Sequence, residues 1–523
     1  MDETDCALDE GHEICRQSSK DPPFCPEEWD MDESDDETSA PRQPPKPEQI
    51  YEAKFLVFDS CLRELLDRCL VCGAPECKVK LDFVGTMVRA EVTCPLSHSR
   101  TWRSQPVLNR KPMGNISVCS AILFSGSSPT KVLRLFSFMN MQSLQKTQYF
   151  EFQRCYLLPA VTEVWQFEQA TLLDDLQAKR LCLAGDGRAD TPGHSADFGT
   201  YTLLETSTNR VLHTELVKST EVSSSNRMET EGMERSLNYL RAQDMSVGTL
   251  VTDRHSEGKA ALRKYHPDIT HQFDVWHVAK GVNKKIVAVA RAKKHGVLLK
   301  WIKTIIRHLH WCARTSDGDG KLVLAKWVSL IRHMINVHEH PDPLHPACEH
   351  GKISDRLWLE EGTETFKKLE AILMAPHLLR DIPFLSPKEQ TFGLESFHAV
   401  LIHFAPKSSK FLYEGMLART YIAALHFNHN ADRDVLIDED GNARFHQKCS
   451  KADRRWTVVP AKEAVTYDYV QKLIDAVLGC LVRWPTYAIA EKAAYRQSHD
   501  TLSSKCGVKP QLEDAIARHR SRF

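Results

Sequence analysis

The residues of this 523-residue chain best suited to chemistry begin with two aspartates. Asp186 ends the apolar run 181–184 between Gly185 and Gly187, and Asp253 follows a second apolar run at 247–251. A buried strand that ends in an acid between glycines holds a carboxylate where other backbone can come close. Several such carboxylates are what phosphoryl transfer with two divalent ions requires, because the ions must be held roughly 3.5–4 Å apart. One strand-end aspartate alone is usually a turn residue; two at neighbouring strand ends make a candidate site. A helix crossing the sheet can add a third acid. Glu395 fits, since Leu394, Phe397 and Leu401 form an i, i+3, i+7 apolar stripe that leaves Glu395 and His398 on a neighbouring face. Glu414, at the start of a later helix, is the runner-up. Around these acids stand Asp274-x2-His277 and His255, where either histidine is a candidate for moving a proton or positioning a phosphate.

Cysteine and histidine supply a second chemistry. The chain has 16 cysteines and 24 histidines behind an acidic start that is no signal peptide, which predicts reduced thiols and metal sites. Cys69-x2-Cys72 and Cys94-x3-His98 flank two strand-like runs, 79–83 and 86–92, with Gly85 at the expected turn. Two ligand pairs around a hairpin give the four N/S donors that tetrahedral zinc prefers, with no open position left for reaction. Cys77 is spare and could replace one of them. His333-x4-His338 with Cys348-x-His350 forms a second candidate zinc set, although Pro341, Pro343 and Pro346 also suit an ordinary loop with exposed histidines.

The elements that must position these residues read as follows. Strands at 181–188, 200–205 and 211–217 precede a helix at 226–243, a strand at 247–251, a helix at 257–265 and a fifth strand ending at 273–277. Three strands, helix, strand, helix, strand is the order of a ribonuclease-H-like α/β domain, a mixed sheet with flanking helices. The expected divisions are an acidic disordered tail (1–47), a zinc-binding β module (48–110), a helical linker (111–180) and the first part of the core (181–277). A large α-helical insertion (278–388), the completing part of the core (389–433) and a helical, basic C-terminal region (434–523) follow.

The net charge of −1 hides an asymmetry. Residues 1–50 carry 16 acidic and 4 basic side chains, leaving 53 and 64 elsewhere, a surplus of 11 positive charges. A basic body suits a polyanion, and the lysines at 280, 284, 285, 293 and 294 could follow a phosphate backbone, although such a face is most often merely solvated. No apolar run is long enough to cross a membrane.

Gly185-Asp186-Gly-Arg188, Asp190-Thr-Pro-Gly-His194, Thr252-Asp253-Arg254-His255, Asp274-x2-His277, Leu394-Glu395-Ser-Phe-His398 and Tyr413-Glu-Gly-Met together resemble the Kolobok superfamily of DDE cut-and-paste DNA transposases. The resemblance implies that Asp186, Asp253 and Glu395 hold two Mg2+ (or Mn2+) ions for DNA cleavage and strand transfer, and that the protein works in the nucleus. The N-terminal THAP-type finger of many relatives is replaced here by the acidic tail, which suggests a transposase-derived protein. A second reading is a non-catalytic, zinc-stabilised nuclear DNA- or protein-interaction protein that keeps the fold. DNA is the expected partner and a membrane is not; the residues leave a homo-oligomer open.

Overall fold

The structure, a computed structural model, describes residues 46–191, 196–253, 256–351, 353, 357–387, 391–450, 455–493 and 511, 513, 514, 516 and 517. The segment 1–45, and with it nearly all of the tail expected to be disordered, lies outside the described residues, as do His194, Arg254 and His255, whereas Pro47 already begins a 3-10 helix that runs to Tyr51. The chain forms two compact units, one from Met1–Glu168 with Val400–Asp500 and one from Gln169–Ala399 with Thr501–Phe523.

In the first unit α1 (Asp59–Leu66) buries Leu62 and Leu66 against a three-stranded antiparallel sheet of β1 (Lys78–Val84), β2 (Met87–Thr93) and β3 (Ser99–Arg103). The strand period of two aims Ala90 and Val92 at that helix. Gly85, at φ +60°, makes the tight β1–β2 turn. Trp102, in β3, packs against this small core. A two-residue pair, β4 (Val107–Leu108) and β5 (Lys111–Pro112), leads into α2 (Met113–Phe124) and α3 (Pro129–Phe138). The Ser128 side chain caps α3 by accepting from the Lys131 amide. Then α4 (Lys146–Phe152) continues through one π turn, Gln153–Leu157, into α5 (Leu158–Leu176).

The second unit contains β6 (Leu181–Ala189), β7 (Phe198–Glu205), β8 (Arg210–Lys218), α6 (Ser225–Ala242), β9 (Val247–Thr252), α7 (Ser256–Tyr265) and β10 (Thr270–Phe273). Their sheet order is β10-β9-β6-β7-β8. β7 and β8 are antiparallel neighbours, whereas β6, β9 and β10 run parallel, so the sheet is mixed. The chain turns directly from β7 to β8, with Asn209 at φ +52°, but needs a helical crossover to enter β9 and another to enter β10. Leu181, Leu183, Leu203, Leu250, Leu237 and Leu240 are among the residues of the core between this sheet and α6.

One boundary differs from expectation. β10 ends at Phe273, and His277 lies in α8 (Val275–Ala290) rather than at a strand end. The cause is Asp274, whose carboxylate accepts from the Trp276 amide at 2.7 Å and so caps a helix that the Phe-Asp-Val-Trp-His run disguises. The insertion continues through α9 (Leu298–Arg314), α10 (Gly320–Met334), α11 (Glu364–Leu373) and α12 (Pro376–Asp381) around Trp301, Trp327, Leu309 and Leu369. Lys280, Lys284 and Lys285 form an exposed face of α8.

α13 (Phe392–Phe404) buries Leu394, Phe397 and Leu401 completely. After α14 (Tyr413–His429) the segment expected to be helical contains an antiparallel pair, β11 (Phe445–Ser450) and β12 (Arg455–Pro460), where Thr457, Val458 and Val459 favour strand. α15 (Tyr469–Arg483) and α16 (Tyr487–Ala493) follow. Among the described residues no single helix is long and apolar enough to cross a membrane; α15 and α16 reach that length only as a pair bent by 106°.

Candidate functional site

The chemistry gathers at one end of the five-stranded sheet. β6 pairs with β9 through Leu183 opposite Leu250 and Ala184 opposite Val251. Continuing that register sets Asp186 level with Asp253, the residue after β9. Glycine is required on both sides of Asp186 by close approach. A Cβ at Gly185 would collide with the Tyr201 hydroxyl, and one at Gly187 would lie 2.7 Å from Cγ of Glu229 on α6. The Gly187 amide donates to Asp186 Oδ1 at 2.8 Å.

His277, in the first turn of α8, joins the remaining acids. Its Nδ1 lies 2.7 Å from Asp253 Oδ1 and 3.5 Å from Asp274 Oδ2, while its Nε2 lies 3.7 Å from Glu395 Oε1. Asp274 is 2% exposed and accepts from the Thr391 amide at 3.0 Å and the Thr391 hydroxyl at 2.5 Å, besides capping α8. Thr391 immediately precedes α13. A single buried carboxylate therefore ties the start of α8 to the start of α13 and fixes both His277 and Glu395. One turn beyond Glu395, His398 Nδ1 lies 3.6 Å from Asp186 Oδ2.

The electrostatics follow from this crowding. Burial, then the nearby charges of Asp253 and Glu229, push the Asp186 carboxyl up to about 7 against smaller opposing effects of the Gly187 amide and His277. For His277, burial opposes charging, but hydrogen bonds and attraction from Asp253 and Asp274 win and raise it to about 10. Burial also opposes ionisation of Asp274, yet hydrogen bonds from His277, Thr391 and Trp276 lower it to about 2. The site thus sets a charged imidazole among carboxylates, of which Asp186 is poorly compensated. Oxygen donors of this kind suit a hard divalent cation.

Of the residues singled out by sequence, the structure brings Asp186, Asp253, Glu395, His277 and His398 together. Glu414 is exposed and belongs to the first unit, not to the one that holds the aspartates. Two contributors escaped the sequence reading. Glu229 follows the buried Met228 on α6, so its proximity to the sheet was available from helical phase but not its height along the strand. The latch made by Asp274 depends on Thr391, far away in sequence, and no local pattern announces it.

The cysteine-rich module forms a separate centre in the first unit. One donor atom from each of Cys69, Cys72, Cys94 and His98 lies within 4.8 Å of all the others, a group that could hold a metal ion such as zinc. Cys94 Sγ is 3.5 Å from His98 Nδ1 and 3.8 Å from Cys72 Sγ. Each pair sits on a tight turn, with Gly73 at φ +73° in one and Ser97 at φ +63° in the other. Backbone N–H groups of Cys72 and Val71 directed at Cys69 hold its thiol down at about 6, which favours the thiolate that binds metal. Cys77 stands outside the group, its thiol directed at the Ala74 carbonyl. His333, His338, Cys348 and His350 form a second such group in the insertion. No family model matches the chain, and no curated protein matches it either.

Proposed function

We propose that the chain is a DDE-type DNA transposase, or a protein derived from one, with a ribonuclease-H-like core that performs metal-dependent phosphoryl transfer on DNA. The observation that carries this reading is the meeting of Asp253 and Glu395 on the two ring nitrogens of His277, with Asp186 level with Asp253. The sheet order supports it: an antiparallel β6-β7-β8 half with two parallel strands added beyond β6. DNA as the substrate rests on the resemblance to the Kolobok superfamily and on the basic body.

The carboxylates fit Mg2+ or Mn2+ by donor type, and the raised pKa of Asp186 marks charge in need of a cation. Asp186, Asp253 and Glu395 would hold the ions. Ions held there would supply activation of a water or a DNA 3′-hydroxyl and stabilisation of the leaving oxygen in an in-line displacement. The chain's own part is to hold these groups still. Asp253 and Asp274 keep His277 oriented and charged, and the imidazolium offers a donor to the scissile phosphate. The exposed lysines of α8 attract the DNA backbone.

The test is conversion of supercoiled plasmid to nicked and linear forms, and joining of a 3′-hydroxyl oligonucleotide to it, with Mg2+ or Mn2+. Asp186→Asn and Glu395→Gln should abolish both reactions while DNA binding persists. Metal-dependent cleavage that survives in Asp186→Asn would move the chemistry elsewhere. Wild-type protein that binds DNA but never cuts it would favour the non-catalytic interaction protein.

A further inference from the structure

We propose that His333, His338, Cys348 and His350 bind a structural zinc ion that fastens a loop of the helical insertion to the end of α10. The inference is independent of whether the acidic site cuts DNA.

His333 lies in the last turn of α10. The chain then turns at Asn336, φ +62°, and doubles back through an isolated bridge between Glu339 and Ala347. The Cys348 amide donates to the His338 carbonyl at 2.9 Å and the His340 amide to the Pro346 carbonyl at 2.7 Å. This hairpin carries His338 and Cys348 back to the helix end, and His350 follows.

The four donor atoms all lie within 4.8 Å of one another. His333 Nδ1 is 3.3 Å from His350 Nε2 and 3.6 Å from Cys348 Sγ. Zinc–nitrogen bonds near 2.0–2.1 Å and a zinc–sulfur bond near 2.3 Å set tetrahedral edges of roughly 3.3–3.7 Å, so these separations are those of a ligand shell. The rings of His333, His338 and His350 stand 4.9–5.2 Å apart, at 74–85° to one another. Near-perpendicular rings around a common point aim their edges, not their faces, at it.

The tautomers point the same way. The Gly351 carbonyl, 2.8 Å from His350 Nδ1, can only accept, so Nδ1 carries the proton and Nε2 presents its lone pair to the cluster. Likewise His338 Nε2 donates to Asn336 Oδ1 at 3.1 Å. That leaves His338 Nδ1 as a lone pair, buried and without a hydrogen-bond partner among the described residues. Metal-ligating histidines are held in this way, the far nitrogen donating to an oxygen. Three nitrogens and one sulfur select zinc over Mg2+ or Ca2+, and four protein ligands leave no position for reaction. His340 lies outside the set, with Nε2 3.2 Å from Cys348 Sγ, where it can donate to the thiolate.

Full-length protein purified without chelator should carry two zinc ions per chain by elemental mass spectrometry. Cys348→Ala and His350→Ala should each lose one, and Cys94→Ala should lose the other. His340→Ala should keep both. In Cys94→Ala protein, stripped and refilled with Co2+, a thiolate-to-cobalt absorption band should develop and be missing when Cys348→Ala is added. His350 is exposed, so its replacement keeps a folded protein for comparison should Cys348→Ala misfold. Two zinc ions retained in His350→Ala, or no more than one in the wild type, would overturn the assignment. Loss in His340→Ala with retention in His338→Ala would overturn the ligand set.

Discussion

Asp274→Asn tests whether one buried carboxylate holds the site together. Asparagine keeps an oxygen that can accept from the Trp276 amide, so the cap of α8 survives. Its NH2 group then faces the Thr391 amide and hydroxyl, which now donate to Asp274 at 3.0 and 2.5 Å. The magnitude can be taken from two directions. A carboxyl lowered from 3.8 to about 2 stabilises the folded state by about 2 kcal/mol at neutral pH. A donor left buried and unpaired costs about 1–3 kcal/mol. The substitution should therefore cost about 1–3 kcal/mol at pH 7, read from urea unfolding of the unit that contains Trp301 and Trp327. The sign of the pH dependence follows from a depressed folded pKa. The stabilisation is fully present above about 4 and disappears as pH falls towards 2. Below pH 5, His277 is protonated in the folded and unfolded chain alike, so it does not contribute to this trend. The gap between wild type and variant should thus narrow from pH 5 to 2.5. Equal stability at pH 7, or a gap that does not change with pH, would refute the latch.

Asp186 gives the opposite sign. Its folded carboxyl, raised to about 7, weakens the metal-free fold as pH climbs from 4 to 7, by up to about 4 kcal/mol, so Asp186→Asn should raise the melting temperature at pH 8 while abolishing stabilisation by Mg2+. Glu229→Gln removes one of the charges that raise Asp186, and isothermal titration should find the pH dependence of Mn2+ affinity displaced to lower pH. Cys94→Ala, or a strong chelator, should unfold the β1–β3 module, because four ligands draw together a core of only a few apolar residues; hydrogen exchange in β1–β3 that stays slow after zinc removal would count against it.

Periodicity and strand-end chemistry made much of the second unit legible. The apolar runs of β6 and β9 end at Asp186 and Asp253 because buried strands are read from their own composition, and the stripe of α13 leaves Glu395 off its buried face for the same local reason. Paired ligand spacing on turns identified both Cys/His groups. What stayed hidden is non-local. His277 looked like a strand end because Val275 and Trp276 favour strands, while the cap that starts α8 gains its full partners only through Thr391. The β11–β12 pair was obscured by the charges around it. Glu229 needed the height of α6 along the sheet, which packing sets and spacing does not.

The arrangement also explains why Asp186, and not its neighbours, carries the uncompensated charge. Glu395 lies in the first turn of α13 and Asp274 caps α8, so both carboxylates stand at helix N-termini, where unpaired amides favour an anion by about 0.3–1 kcal/mol. Asp253 has the His277 imidazolium 2.7 Å away. Asp186 projects from a strand, which offers it one neighbouring amide and almost no dipole. His398 approaches it no nearer than 3.6 Å. Of these four carboxylates, the one on β6 therefore has the weakest compensation. A cation seated between Asp186 and Asp253 would offset the burial and the repulsion that raise the Asp186 carboxyl to about 7, and below that pH its binding must release the proton. The metal affinity of the site should accordingly rise with pH until about 7 and level off above it.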